Sequence, residues 1–103
     1  MAYEQVLPPD TANEIRDFVI ERYVGAASQM AAADAIEREM GKVASNPTLG
    51  AAVPGGPFES RRIHRFSVVV ANQARTAELA YRVNQKSETV VFSGFREIPT
   101  TPL

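Results

Sequence analysis

The apolar residues of this chain repeat with a helical period in its first half and alternate in its second. The changeover falls on one stretch, Asn46-Pro-Thr-Leu-Gly-Ala-Ala-Val-Pro-Gly-Gly-Pro57, where three prolines and three glycines break any regular element. With 103 residues in all, there is too little chain on either side of that stretch for two cores. It reads as a loop inside one domain spanning residues 1–103, and the Gly55-Gly56 pair as a turn within it.

Before the loop, Tyr3 to Leu7 alternate loosely and predict a short strand that Pro8-Pro9 ends. Thr11 and Glu14 form a T-x-x-E pattern, which predicts a capping box at the start of a helix. Ile15, Phe18, Val19 and Tyr23 then make one apolar stripe, and Gly25 is a stop or hinge. The alanine-rich run from Ala26 predicts a second helix over residues 26–44, with Ala33, Ile36, Met40 and Val43 inward. Asn46-Pro47 ends it, because a residue before proline avoids the helical region. After the loop, residues 61–70 are rich in β-branched and aromatic types, 71–75 read as a turn, and 76–83 alternate, with Ala77, Leu79, Tyr81 and Val83 on one face. Residues 88–95 are apolar on both faces at Val90-Val91-Phe92, the pattern of a central strand, and Arg96 and Glu97 close it. The predicted class is α+β in the order β-α-α-β-β-β. Two helices pack on one face of a mainly antiparallel twisted sheet, the first strand joins that sheet, and the other face stays partly open.

Composition narrows the chemistry. There is no cysteine, which excludes a disulfide framework, a thiolate metal site and a cysteine nucleophile. With a single histidine, His64, a metal centre would have to rest on carboxylates, and neither a metal nor a cofactor is expected. No apolar run approaches the roughly 20 residues that span a bilayer, and Met1 to Leu7 lacks the basic cluster of a secretion signal. A soluble, cytoplasmic protein without a membrane partner is expected. The net charge of −1 conceals a division. Residues 1–57 hold four basic and eight acidic residues, whereas residues 58–103 hold seven basic and four acidic. An excess of positive charge in the strand-rich half suits a polyanion or an acidic partner.

That excess is arginine. On a strand, Arg61 and Arg65 share a face with Ile63, while Arg62 and His64 take the opposite one. Arg82 and Arg96 come from neighbouring strands. Several guanidiniums gathered on an uncovered face would hold phosphates or carboxylates in bidentate fashion, and solvated charges that keep a sheet soluble are the plainer reading. His64 is a candidate acid or base, or a half-buried surface residue. Tyr81 reads as a core residue with its hydroxyl at the edge, and Asp34, Glu37 and Glu39 as a solvated helix face.

Taken in order, these features resemble the RelE/ParE superfamily of bacterial type II toxins. They are the Pro8-Pro9 start, the helical pair, Asn46-Pro47-x-Leu49-Gly50, the Arg-rich strand, Tyr81-Arg82-Val83 and the last strand Val90-Val91-Phe92-x-Gly94-x-Arg96. The resemblance spans nearly the whole chain and implies a single toxin domain silenced by a cognate antitoxin protein. RelE-like members cleave messenger RNA on the ribosome, and ParE-like members inhibit DNA gyrase. Arg96, in Gly94-Phe95-Arg96, matches the family's last-strand arginine, and Arg61, Arg62 and Arg65 match its basic strand in character. The resemblance therefore implies catalytic roles for Arg96, Arg62 and Arg65. It implies nucleic-acid or partner binding by Arg61, Arg62, His64, Arg65, Arg82 and Arg96. This chain departs from the nuclease pattern at Ala77 and Glu78, where an arginine is expected, and in lacking a tyrosine after Arg96. A non-toxic module that binds a peptide across the open face is the alternative.

Overall fold

The computed structural model describes residues 2–53 and 61–99. The predicted turn at Gly55-Gly56 lies outside them. The elements are β1 (Glu4–Val6), α1 (Pro9–Arg22), α2 (Ala26–Ser45), β2 (Ala51–Ala52), β3 (Arg61–Val70), β4 (Gln73–Asn84) and β5 (Thr89–Ile98). They form one sheet in the order β1-β5-β4-β3-β2. β1 runs parallel to β5, and all other pairs are antiparallel. The predicted order holds, with one addition. Ala51 and Ala52, inside the predicted loop, pair with Ile63 and Arg62 as the edge strand β2.

Both helices cover the same face. α1 packs on β5 and α2 on β3, burying Phe18, Val19, Tyr23, Ile36, Met40 and Val43 against Phe66, Val68, Leu79, Tyr81, Val90, Phe92 and Phe95. Gly25, at φ +89°, links the two helices in a backbone conformation that costs glycine least. No helix among the described residues is long and apolar enough to cross a membrane.

Two boundaries differ from expectation, each for a local reason. The turn predicted over 71–75 contracts to Ala71 and Asn72, both left-handed at φ 52° and 65°. This is the geometry whose twist matches paired strands, so β3 and β4 stay paired right up to it. α1 starts at Pro9 rather than at Thr11, because a first-turn proline has no N–H to leave unsatisfied.

Thr11 is therefore inside the helix, and it does not cap it. It is buried, and its hydroxyl donates to the Phe92 carbonyl at 2.7 Å. Glu14 Oε1 accepts from the Phe95 N–H at 3.4 Å. The two backbone groups flank an irregularity in β5. Ala80 pairs with Gly94 and Tyr81 with Phe92, so Ser93 is an extra residue, a β-bulge. The T-x-x-E pair serves the bulge in place of a capping box. Replacing Thr11 with valine keeps its shape and strips the Phe92 carbonyl of its partner. Urea unfolding should show a loss of about 1–3 kcal/mol for this one change.

Candidate target-binding face

Cross-strand register decides which side chains meet on the uncovered face. Three of the rows that cross it bear on the site. Arg61 pairs with Arg82, and Arg82 with Val91. Ile63 pairs with Ala80, and Ala80 with Gly94. Arg65 pairs with Glu78, and Glu78 with Arg96. The outer rows are set four residues apart along the strands, roughly 13 Å. The middle row is low, being built from alanine, glycine and one isoleucine. A cleft of 410 Å³ lies there, walled by Arg61, Arg82, Ile63 and Ser93 over Ala80.

In the row of Arg65, Glu78 and Arg96 the side chains are hydrogen-bonded to one another across three strands. Arg96 Nε donates to Glu78 Oε1 at 2.6 Å, and Arg65 Nη2 donates to Oε2 at 3.2 Å. Exposure separates the three groups: the Glu78 side chain is 6% accessible, whereas those of Arg65 and Arg96 are 64% and 73%. Burial acts to raise the Glu78 pKa. Hydrogen bonds and charge from Arg96 and Arg65 outweigh it and hold the carboxyl below its ordinary value of 4.5. A dry carboxylate thus anchors two wet guanidiniums. Each guanidinium spends one nitrogen on that anchor and keeps further N–H donors for solvent or a ligand.

The remaining expected site residues divide between the two faces. Arg61 and Arg82 belong to the open face, and both take part in further interactions. Arg62 and His64 point to the helix side, as the alternation predicted, so the expected catalytic set of Arg96, Arg62 and Arg65 is not one cluster. Arg62 Nη1 donates to the Gly50 carbonyl at 2.6 Å and to the Thr48 carbonyl at 3.5 Å, which ties the 46–50 loop to β3. Tyr81 works at the same place. Its hydroxyl donates to the Pro47 carbonyl at 2.8 Å and accepts from the Gly50 N–H at 2.9 Å. Gly50 is required there, since a Cβ would lie 2.7 Å from the Ile63 carbonyl oxygen and 2.8 Å from the Tyr81 hydroxyl.

His64 stacks on Phe66 with ring centroids 5.3 Å apart, and its Nε2 lies 2.9 Å from Glu39 Oε1. Lys42 pairs with the other Glu39 oxygen at 2.7 Å. Glu39 is thus no solvated helix residue: burial would raise its pKa, but Lys42 and His64 together lower it. Sequence reasoning missed a second Arg–Glu–Arg set as well. Glu97, on the helix side of β5, accepts from Arg22 Nε at 2.7 Å and Arg75 Nη1 at 2.8 Å. Among the described residues, no three histidine, aspartate or glutamate side chains gather as metal ligands.

Two predictions follow from this geometry. Tyr81→Phe leaves the Gly50 N–H and the Pro47 carbonyl without a side-chain partner, and a loss of about 1–3 kcal/mol in urea unfolding is expected. The second concerns acid. Glu78, Glu97 and Glu39 have native pKa values below the ordinary 4.5. The stability they contribute is complete above that ordinary value and disappears as pH falls through the depressed native ones. Unfolding midpoints should hold from neutrality to about pH 5 and then decline, and less steeply in Glu78→Gln.

The solved structures that resemble the chain include the following two. One is a double arginine-to-alanine mutant of the E. coli toxin RelE in the free state, at 16% identity and a TM-score of 0.57, covering 92% of this chain and 82% of that one. The other belongs to the toxin–antitoxin complex RelBE2 of Mycobacterium tuberculosis, at 15% identity and a TM-score of 0.57, covering 95% of this chain and 93% of that one. No protein-family model matches the sequence, and no curated protein matches it. Two helices behind a five-stranded mixed sheet, in this strand order, give the chain the fold of the RelE toxins.

Proposed function

We propose that the chain is the toxin of a type II toxin–antitoxin pair, that it acts in the cytoplasm on translation, and that its uncovered sheet face engages the backbone of a ribosome-bound message. The single observation behind this reading is the row of Arg65, Glu78 and Arg96 on the open face of a RelE fold. Exposed guanidiniums held in place by a buried carboxylate suit a phosphate that gains charge as a bond to it breaks. Arg96 and Arg65 are the residues assigned to that task, with Arg61 and Arg82 along the same strands for a neighbouring stretch of backbone. Arg62 is assigned to the loop, and His64 to the helix side.

A cognate antitoxin is the expected partner. An apolar groove of 510 Å³ between β1, α1 and α2, lined by Leu7, Ala12, Ile15, Ala33, Ile36 and Met40, suits an amphipathic segment of such a protein. A second reading, in which the face holds a protein such as DNA gyrase or a peptide without cleaving anything, is favoured by one feature. Among the described residues the outer face of β3, β4 and β5 carries no histidine or tyrosine, and its one carboxylate, Glu78, is already paired with two arginines.

Induction of the chain alone should arrest growth, and co-expression of the adjacent gene should restore it. Ribosome-bound message should be cut by the wild-type chain, with the rate reduced about 100-fold or more by Arg96→Ala. Intact message together with inhibited supercoiling by purified gyrase would select the second reading. Normal growth of cells expressing the chain alone would dispose of the toxin reading.

A further inference from the structure

We infer that Glu78 sets how strongly this face grips a polyanion, cancelling half the charge of Arg65 and Arg96 so that a bare single strand is held weakly. The inference rests on the reading of the open face as the target-binding surface, and it names the residue that tunes that surface.

The geometry makes the cancellation effective. The carboxylate lies 2.6 Å from Arg96 Nε and 3.2 Å from Arg65 Nη2. At 6% side-chain accessibility it is shielded from the counter-ions and water that would damp its field. The guanidiniums above it are mostly exposed. A phosphate would therefore meet them from the solvent side, with Glu78 still beneath. Such a ligand faces two positive charges and one negative charge a few ångströms behind them, a net charge of +1 for the row. The rest of the molecule offers no compensation at long range, because the whole chain carries −1. A strand that is already held in place by a larger assembly loses less on docking than a free one. The weakened row consequently favours a positioned backbone over a loose one.

Glu78 also orients the arginines, and this second role predicts the opposite sign on its removal. The two roles are separated by measuring the binding of a short fluorescent single-stranded RNA to the purified full chain over a range of salt. Wild type, Glu78→Gln and Glu78→Ala are compared. If charge dominates, both variants bind about tenfold more tightly. The slope of log affinity against log salt also steepens by about 0.7, one more phosphate neutralised on a single strand. Unchanged or weaker binding in either variant, with cooperative unfolding retained, overturns the inference and leaves Glu78 as a positioning residue. So does the absence of RNA binding by all three proteins at low salt. Loss of cooperative unfolding in both variants also overturns it, since Glu78 would then serve the fold. Growth arrest plays no part in this measurement. Failure of the toxin reading shows in cells carrying the wild-type chain, and failure of this inference shows in the difference between purified proteins.

Discussion

The extra residue at Ser93 determines what the open face of this protein contains. Side chains on a strand alternate, so an uninterrupted β5 with Val90 and Phe92 inward would also turn Gly94 and Arg96 toward the helices. The bulge resets the parity. Phe95 goes in, where it packs edge-on against Phe18 with centroids 5.2 Å apart, and Arg96 goes out beside Glu78. The core thereby holds the arginine in position. Phe95 is 4% exposed, and a slip of one residue would exchange a buried phenylalanine for a buried guanidinium. Thr11 and Glu14 fix the same point from the other side by hydrogen bonding to the strand backbone around the bulge.

The two Arg–Glu–Arg sets share a composition and differ in setting. Glu97 joins the end of α1 to β4 through Arg22 and Arg75. Its side chain is 20% accessible, so water moderates its ion pairs and each is worth little. Glu78 draws both its partners from the sheet itself, and its carboxylate is nearly dry. Truncating such a carboxylate removes a charge that solvent does not replace. That asymmetry makes Glu78, rather than Glu97, the residue through which the charge of the neighbouring surface is set.

Much of the architecture was legible from periodicity. The helical stripes, the meander, the central character of Val90-Val91-Phe92 and the buried position of Tyr81 all follow from spacing, because burying one face is what the spacing encodes. The Arg-rich strand was split correctly between faces for the same reason. The site row was not legible, and the cause is the turn. Arg65 and Glu78 face each other because both are six residues from their side of Ala71-Asn72. A turn placed over 71–75 gives a different register, and an Ala-Asn pair lacks the glycine that usually marks so tight a reversal. The bulge was hidden too: Ser93-Gly94 carries no spacing signal, and the hydroxyl that anchors its backbone lies more than 80 residues away, at Thr11. The same long-range contact is why a sequence pattern that normally caps a helix had another use.

The basic strand β3 does two jobs, and its alternation keeps them apart. Arg62 and His64, turned inward, hold neighbouring parts of the molecule. Arg62 binds the loop carbonyls next to the Tyr81 hydroxyl, and His64 binds Glu39 on α2. Arg61 and Arg65, turned outward, join the face. A count of basic residues therefore overstates the binding surface, and subtracting Glu78 reduces it again. What the strand pairing leaves is a small positive patch on a slightly acidic protein, with the Arg65 and Arg96 guanidiniums already hydrogen-bonded to an internal carboxylate. On the proposed reading, such a patch relies on fit at short range as well as on attraction at a distance, since Glu78 cancels half the charge of the Arg65–Arg96 row and the chain as a whole carries −1.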